Sequence, residues 1–134
     1  MLIACEFSGV VRDAFRARGH NAWSCDLLAT EREQALEFVQ ALYTAPVPRI
    51  AIENPRGLNR FWRPADQVIQ PWMFGHGETK ATCLWLKNLP PLLATSVDSG
   101  RTPRVFYESP GPERWKNRSR TLEGVASAMA EQWG

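Results

Sequence analysis

Three cysteines in 134 residues, Cys5, Cys25 and Cys83, share no C-x-x-C spacing, and there are only two histidines, His20 and His76. That poverty of ligands leaves no set at zinc spacing and no disulfide framework, so buried reduced thiols are expected and no metal. No window approaches the roughly 20 apolar residues of a membrane span, and Met1 to Phe7 lacks the basic segment and long apolar run of a secretion signal. The expected compartment is the cytoplasm. Charge of neither sign dominates, with 16 Lys and Arg against 14 Asp and Glu, net +2, which names no partner by itself. The full G-x-G-x-x-G is missing too, which disfavours a dinucleotide site. The loop GHGETKAT, Gly75 to Thr82, lacks the four-residue spacing before G-K-[ST] that a P-loop needs, which excludes a nucleotide triphosphatase.

What is present fits one globular domain spanning residues 1–134. Apolar residues make up 44% and charged residues 22%, enough to bury a core. Leu2 to Phe7 reads as a strand, and Ser8-Gly9 as a tight turn. Val10, Val11, Ala14 and Phe15 follow at helical spacing up to a cap at Gly19. Asn21 to Asp26 reads as a second strand ending in an acid. Thr30 and Glu33 form a capping box ahead of an apolar helical face, Ala35 to Tyr43, which Pro46 and Pro48 stop. Arg49 to Glu53 is the third strand. Residues 1–55 are therefore β-α-β-α-β, and the fold class expected is α/β, with an open, mostly parallel sheet and helices on both faces. Right-handed crossovers give order 2-1-3, with a ligand-binding switch point at the carboxyl end of the first strand.

Residues 56–134 are less regular. Pro64 and Pro71 bound whatever helix Ala65 to Ile69 can make, Thr82 to Leu86 is a further strand, and residues 95–118 read as an ordered, irregular, basic loop. From Leu122 apolar positions return at helical spacing. Trp72, Trp85 and Trp133 are assigned to the core.

Two acids close neighbouring strands. Glu6-Phe7-Ser8-Gly9 forms the small-residue turn after strand one, and Asp26 lies 20 residues beyond Glu6, where an acid can hold ribose hydroxyls. A turn without the phosphate cradle suits a cofactor without pyrophosphate, such as S-adenosylmethionine; an ordinary βαβ with solvated polar residues accounts for the spacing equally well. At the end of strand three, Glu53-Asn54-Pro55 would face the same crevice. A carboxyl there can pair with the ring nitrogen and amine of a cytosine if a proton is shared between them, or it can simply cap nearby amides. Beyond it, Arg56, Arg60, Phe61, Trp62 and Arg63 mix guanidinium and aromatic groups, a combination that pairs phosphates and stacks on bases. Arg114, Lys116, Arg118 and Arg120 form a second basic set. His76, Glu78 and Lys80 make a polar loop, either near the base or simply solvated.

The series ACEFSG, SCDL and IENP, with QPWMFGHGETKATCLWLKNLPPL and SRTLEGVASAMAEQW, resembles the cytosine-5 DNA methyltransferases in their compact phage-borne form. The resemblance covers most of the chain and implies a Rossmann-like methyltransferase fold that binds S-adenosylmethionine and DNA. It implies cofactor contacts at Phe7, Ser8, Gly9 and Asp26, a base-gripping role for Glu53 with Asn54 beside it, and a last cofactor-bordering block around Ser119, Arg120 and Thr121. One departure stands against it. The family carries a further strand, helix and strand ending in a Pro-Pro-Cys turn, whose cysteine attacks cytosine C6. Here CDLLA runs straight into TEREQALEFV, and the single Pro-Pro pair, Pro90-Pro91, precedes Leu92. Without that thiolate, cytosine C5 is a poor nucleophile. The implied protein is impaired or inactive in classical methyl transfer, and the alternative is a non-catalytic DNA-binding or regulatory remnant. A plainer option is a packing-only domain, as a homo-oligomer that hides the sheet edge left by the shortening.

Overall fold

A computed structural model describes residues 1–4, 8–25, 32–55 and 62–134, apart from the side chains of Cys25, Arg32, Glu33 and Pro55. The architecture is α/β, an open five-stranded mixed sheet in the order β2-β1-β3-β5-β4. The strands are β1 (Leu2–Ala4), β2 (Trp23–Cys25), β3 (Ile50–Pro55), β4 (Gln67–Ile69) and β5 (Thr82–Lys87). The helices are α1 (Val10–Ala17), α2 (Arg32–Thr44), the short α3 (Arg114–Ser119) and α4 (Glu123–Trp133). The first five elements follow the expected β-α-β-α-β order. β1 pairs in parallel with β2 on one side and β3 on the other, Leu2 standing opposite both Trp23 and Ile50.

Local chemistry explains these elements. In α1, Val11 and Phe15 lie one turn apart and both are fully buried. The helix closes where Gly19, at φ 80, sends its N–H back to the Arg16 carbonyl at 2.9 Å, a left-handed turn that glycine adopts without penalty. In α2 the Thr44 hydroxyl folds back onto the Gln40 carbonyl at 2.9 Å, and Pro46 and Pro48 prevent continuation. The capping box proposed at Thr30 and Glu33 lies outside the residues and side chains described.

The alternation of β-strand side chains divides the core into two faces. Ile3, Ala51, Ile69, Leu84 and Leu86 pack with Val11 and Phe15 of α1 and Val125, Met129 and Trp133 of α4. On the opposite face, Ala4, Ile50, Ile52, Cys83 and Trp85 pack with Val39, Leu42 and Tyr43 of α2. Helices therefore cover both faces, as expected, and Trp85 and Trp133 are core residues. Their indole N–H groups are satisfied by carbonyls, Trp85 by Arg63 at 3.0 Å and Trp133 by Pro90 at 2.9 Å.

Three expectations are corrected. The sheet is mixed rather than mostly parallel: β5 runs antiparallel to both β3 and β4. β4 runs in the same direction as β3, and the connection from Gln70 to Ala81 holds one 3-10 turn and no α-helix to carry a parallel crossover, so β5 returns antiparallel and pairs between them. Secondly, Ala65 to Ile69 forms no helix, and its last three residues, Gln67–Ile69, form a strand. Pro64 and Pro71 leave too few residues for helical turns, and the β-branched Val68-Ile69 pair suits an edge strand. Asp66 anchors it, its N–H donating to the Leu84 carbonyl at 2.9 Å and its Oδ2 accepting the Leu86 N–H at 2.7 Å. Finally, Trp72 is only partly buried, and Arg101 stacks over its ring at 3.9 Å. The terminal helix forms where its periodicity places it, while residues 95–118 are mostly turns and bends that lead into α3.

Candidate functional site

β1 feeds α1 on one face of the sheet and β2 feeds α2 on the other, so a switch point opens between the carboxyl ends of β1 and β3. β3 outruns the described part of β1, since Ile52 is the last of its residues paired to that strand. Glu53 and Asn54 follow directly after that last described pair. By alternation with Ala51, Glu53 faces α1 and α4.

A chain of contacts holds that carboxyl. Thr121 Oγ1 donates to Glu53 Oε2 at 2.8 Å, and the Thr121 side chain is buried just ahead of α4. The Thr121 N–H in turn donates to Ser8 Oγ at 3.4 Å, which also accepts from the Val10 N–H at 3.4 Å at the start of α1. Residues expected to serve a cofactor, Ser8 and Thr121, thus converge on the residue expected to grip a base. Gly9 adopts φ 72, and a β-carbon there would lie 2.6 Å from the Arg12 guanidinium, so a side chain at this turn would be both strained and crowded.

Glu53 opens into a cleft of about 870 Å³ whose lining includes Asn54, Lys80, Phe106, Trp115, Arg118 and Ser119. Its outer wall is built by residues 77–79 pairing with residues 102–105. The Thr79 N–H reaches the Thr102 carbonyl at 3.4 Å, and the buried Glu78 accepts the Val105 N–H at 3.3 Å. His76 ties this loop to α4, its Nε2 accepting the Gly124 N–H at 2.9 Å, which assigns the ring proton to Nδ1 when the ring is neutral.

Lys80 gives the cleft its second charge. Its backbone N–H donates to Gln70 Oε1 at 2.9 Å, and its ammonium donates to the Arg120 carbonyl at 3.1 Å. Burial pulls its pKa below the ordinary lysine value; attraction to Glu53 and Glu78 opposes this, and repulsion from Arg118 adds to it. An anionic and a cationic group therefore share one partly desolvated cleft with two aromatic rings. Such a site can bind a flat, polar, hydrogen-bonding ligand the size of a nucleoside.

The structure sorts the other expected residues. Ser119 lies on the cleft wall with its hydroxyl donating to the Trp115 carbonyl at 2.6 Å. Trp62 and Arg63 are not brought to the cleft. Trp62 packs in the α2-side cluster at 5.2 Å from Tyr43 and 5.9 Å from Trp85. Arg63 clamps Asp66 with two bonds of 2.9 Å, donates to the Tyr43 hydroxyl at 3.0 Å, and stacks over the Tyr43 and Trp62 rings. Arg63 thus ties the entry of β4 to α2, and Trp62 packs in the α2-side core. Glu6, Phe7, Asp26, Arg56, Arg60 and Phe61 lie outside the described residues. So does Cys5, whereas Cys83 is a fully buried thiol on the α2 face, opposite Asn54 in the ladder.

Sequence reasoning left Lys80 undecided and missed Phe106, Trp115 and Gln70. A signal for Lys80 existed: it sits just before an apolar strand, and a residue entering an antiparallel partner lies beside the other strand's exit. Among the described residues no group of three or more His, Cys, Asp or Glu side chains is placed to hold a metal ion, and no helix is long and apolar enough to cross a membrane. No protein-family profile, curated protein or solved structure matches the chain.

Proposed function

We propose that this is a DNA (cytosine-5) methyltransferase-like protein, a reduced Rossmann-like domain that binds S-adenosylmethionine at the β1–α1 turn and takes an unpaired cytosine of DNA into the Glu53 cleft. It acts in the cytoplasm, that of the host cell if it is phage-borne. The observation that carries the reading is the placement of Glu53, a buttressed carboxyl at the sheet's switch point beside a cationic lysine and two aromatic walls. A cytosine in the cleft would offer its N4 amine and N3 to Glu53, sharing one proton with the carboxyl, and its O2 to Lys80. Phe106 and Trp115 would cover the ring faces. Ser8 and Gly9 supply a turn on which an adenosyl cofactor can rest without a pyrophosphate cradle, and Asp26 would hold its ribose.

Cys83 favours the non-catalytic version of this reading. Its thiol belongs to the α2 face and Glu53 to the α1/α4 face, so Cys83 does not reach a base held by Glu53. In that version the domain keeps base and cofactor recognition, and among the described side chains no thiol is placed to make C5 reactive.

Calorimetry with S-adenosylmethionine on wild type and Asp26→Ala tests the proposal. Binding by the wild type that is lost in the variant supports it, and no binding by the wild type removes it. Methyl transfer to DNA with each cysteine replaced in turn then separates enzyme from remnant, because transfer that survives every replacement excludes a thiolate mechanism.

A further inference from the structure

We infer that the lobe from Arg101 to Arg120 is a binding surface for single-stranded nucleic acid, with Phe106, Tyr107 and Trp115 as stacking platforms and Arg118 and Arg120 as phosphate partners. It rests on the nucleobase reading of the cleft only for where one base of the strand would end. The surface itself stands on separate observations.

The first is where the charge lies. Residues 101–120 contain six Lys and Arg against two Asp and Glu, net +4, while the whole chain is only +2. The rest of the protein is therefore net negative, and its excess positive charge is concentrated in one lobe. Arg118 and Arg120 make no ion pair among the described residues, whereas Lys116 is held by Glu113 at 3.0 Å. Unpaired guanidinium groups beside a cleft suit a polyanion whose binding releases counterions.

The second is aromatic exposure. Phe106, Tyr107 and Trp115 are 63%, 74% and 50% exposed, and they come from one stretch of the chain. Phe106 and Tyr107 stand edge to face with ring centres 5.3 Å apart, and the Lys116 ammonium lies 5.7 Å from the Trp115 ring centre. Single exposed rings are ordinary; three within a basic lobe, two of them lining the cleft of about 870 Å³, make a stacking surface. Paired bases present no free faces to such rings, so the ligand is a single strand rather than a duplex. The basic aromatic segment at residues 56–63, the sequence's first candidate, contributes Trp62 and Arg63 to the α2-side packing instead.

Fluorescence anisotropy with a labelled oligothymidylate and its duplex tests this. Wild type binds the single strand more tightly than the duplex. Phe106→Ala and Trp115→Ala each weaken it roughly tenfold, the scale of one lost base stack. Tyr107→Ala, at the most exposed of the three rings, weakens it in the same direction without threatening the fold, and heat unfolding confirms that each variant is folded. The double variant Arg118→Gln, Arg120→Gln lowers the slope of log affinity against log salt by about 1.4. Trp23→Ala, an exposed ring at the far β2 edge, leaves affinity unchanged. Equal or tighter duplex binding, no binding of the single strand, or affinity indifferent to all three aromatic substitutions overturns the inference. Thymine lacks the amine read by Glu53, so the two proposals fail separately: oligothymidylate binding without cytosine preference sinks the base reading alone, and a cytosine-dependent affinity that Glu53→Ala abolishes but the three aromatic substitutions leave unmoved on oligothymidylate sinks the lobe alone.

Discussion

Thr121→Val removes a single hydroxyl from the bond that buttresses Glu53 while keeping the side chain's shape. Thr121 is 6% exposed and donates to the carboxyl at 2.8 Å, so its bond is short, and its loss leaves one oxygen of a half-buried carboxyl without that donor. Hydrogen bonds to charged groups contribute about 1.5–3 kcal/mol, and the open cleft returns some of this through solvent, so a loss of about 1–2 kcal/mol is expected. In a domain of this size that corresponds to a fall in Tm of roughly 3–10 °C. The informative measurement is a double-mutant cycle in urea, with Thr121→Val, Glu53→Ala and the pair. Coupling of about 1 kcal/mol or more shows that the two side chains bond in solution. Additive effects, within about 0.3 kcal/mol, refute the claim that the entry to α4 holds the base-site carboxyl in place.

Gly124→Ala puts a β-carbon 2.1 Å from the Phe74 carbonyl oxygen and 2.8 Å from His76 Nε2. Although alanine is the better helix former by about 1 kcal/mol, chemical denaturation of this variant is expected to show a net loss of about 2 kcal/mol or more, and a gain would contradict the packing of α4 on the 74–76 turn. Lys80→Met tests the partly buried ammonium. Because the folded pKa lies below the unfolded one, the folded state releases its proton first, so wild-type stability climbs as pH rises from that lowered value to the ordinary lysine pKa. The variant should lack this climb when the two stability–pH profiles are compared, and parallel profiles would refute it. Asp66→Asn acts at the opposite end of the pH scale. Arg63 holds the Asp66 pKa below the ordinary carboxylate value, so its stabilisation is complete above that ordinary value and disappears as pH falls through the lowered one. Acid titration of the unfolding midpoint should be shallower for Asp66→Asn than for wild type; equal slopes would show that the Arg63 pair does not act on stability.

The half of the fold set by local periodicity was legible in the sequence, and the half set by chain direction was not. Val11 and Phe15 one turn apart, the apolar face from Ala35 to Tyr43, and Gly19 after the first helix were enough for β-α-β-α-β and for the order 2-1-3. The antiparallel return of β5 was not, because its direction follows from the connection before it rather than from any pattern in TCLWLK. Glu53 was recognisable as an acid closing a strand, but its partner Thr121 lies 68 residues away and gives no local signal. The cleft wall was hidden for a related reason. Residues 95–118 lack the periodicity of helix or strand, so nothing local showed that Phe106 and Trp115 would stand across from β3. Trp62 and Arg63 had the composition of a nucleic-acid contact, and composition cannot tell a ring stacked on a base from one packed edge to face against Tyr43.

The most direct test of the central claim is the affinity ratio between an oligothymidylate carrying one cytosine and the all-thymine strand, with S-adenosylmethionine present, for wild type, Glu53→Gln and Glu53→Ala. Each well-made pair of base contacts discriminates by about 1–3 kcal/mol, so wild type should prefer the cytosine strand at least fivefold. Glutamine keeps one donor and one acceptor at the carboxyl's position and should retain the preference, while alanine should abolish it. Equal affinity of wild type for the two strands, or a preference that survives Glu53→Ala, would contradict the account.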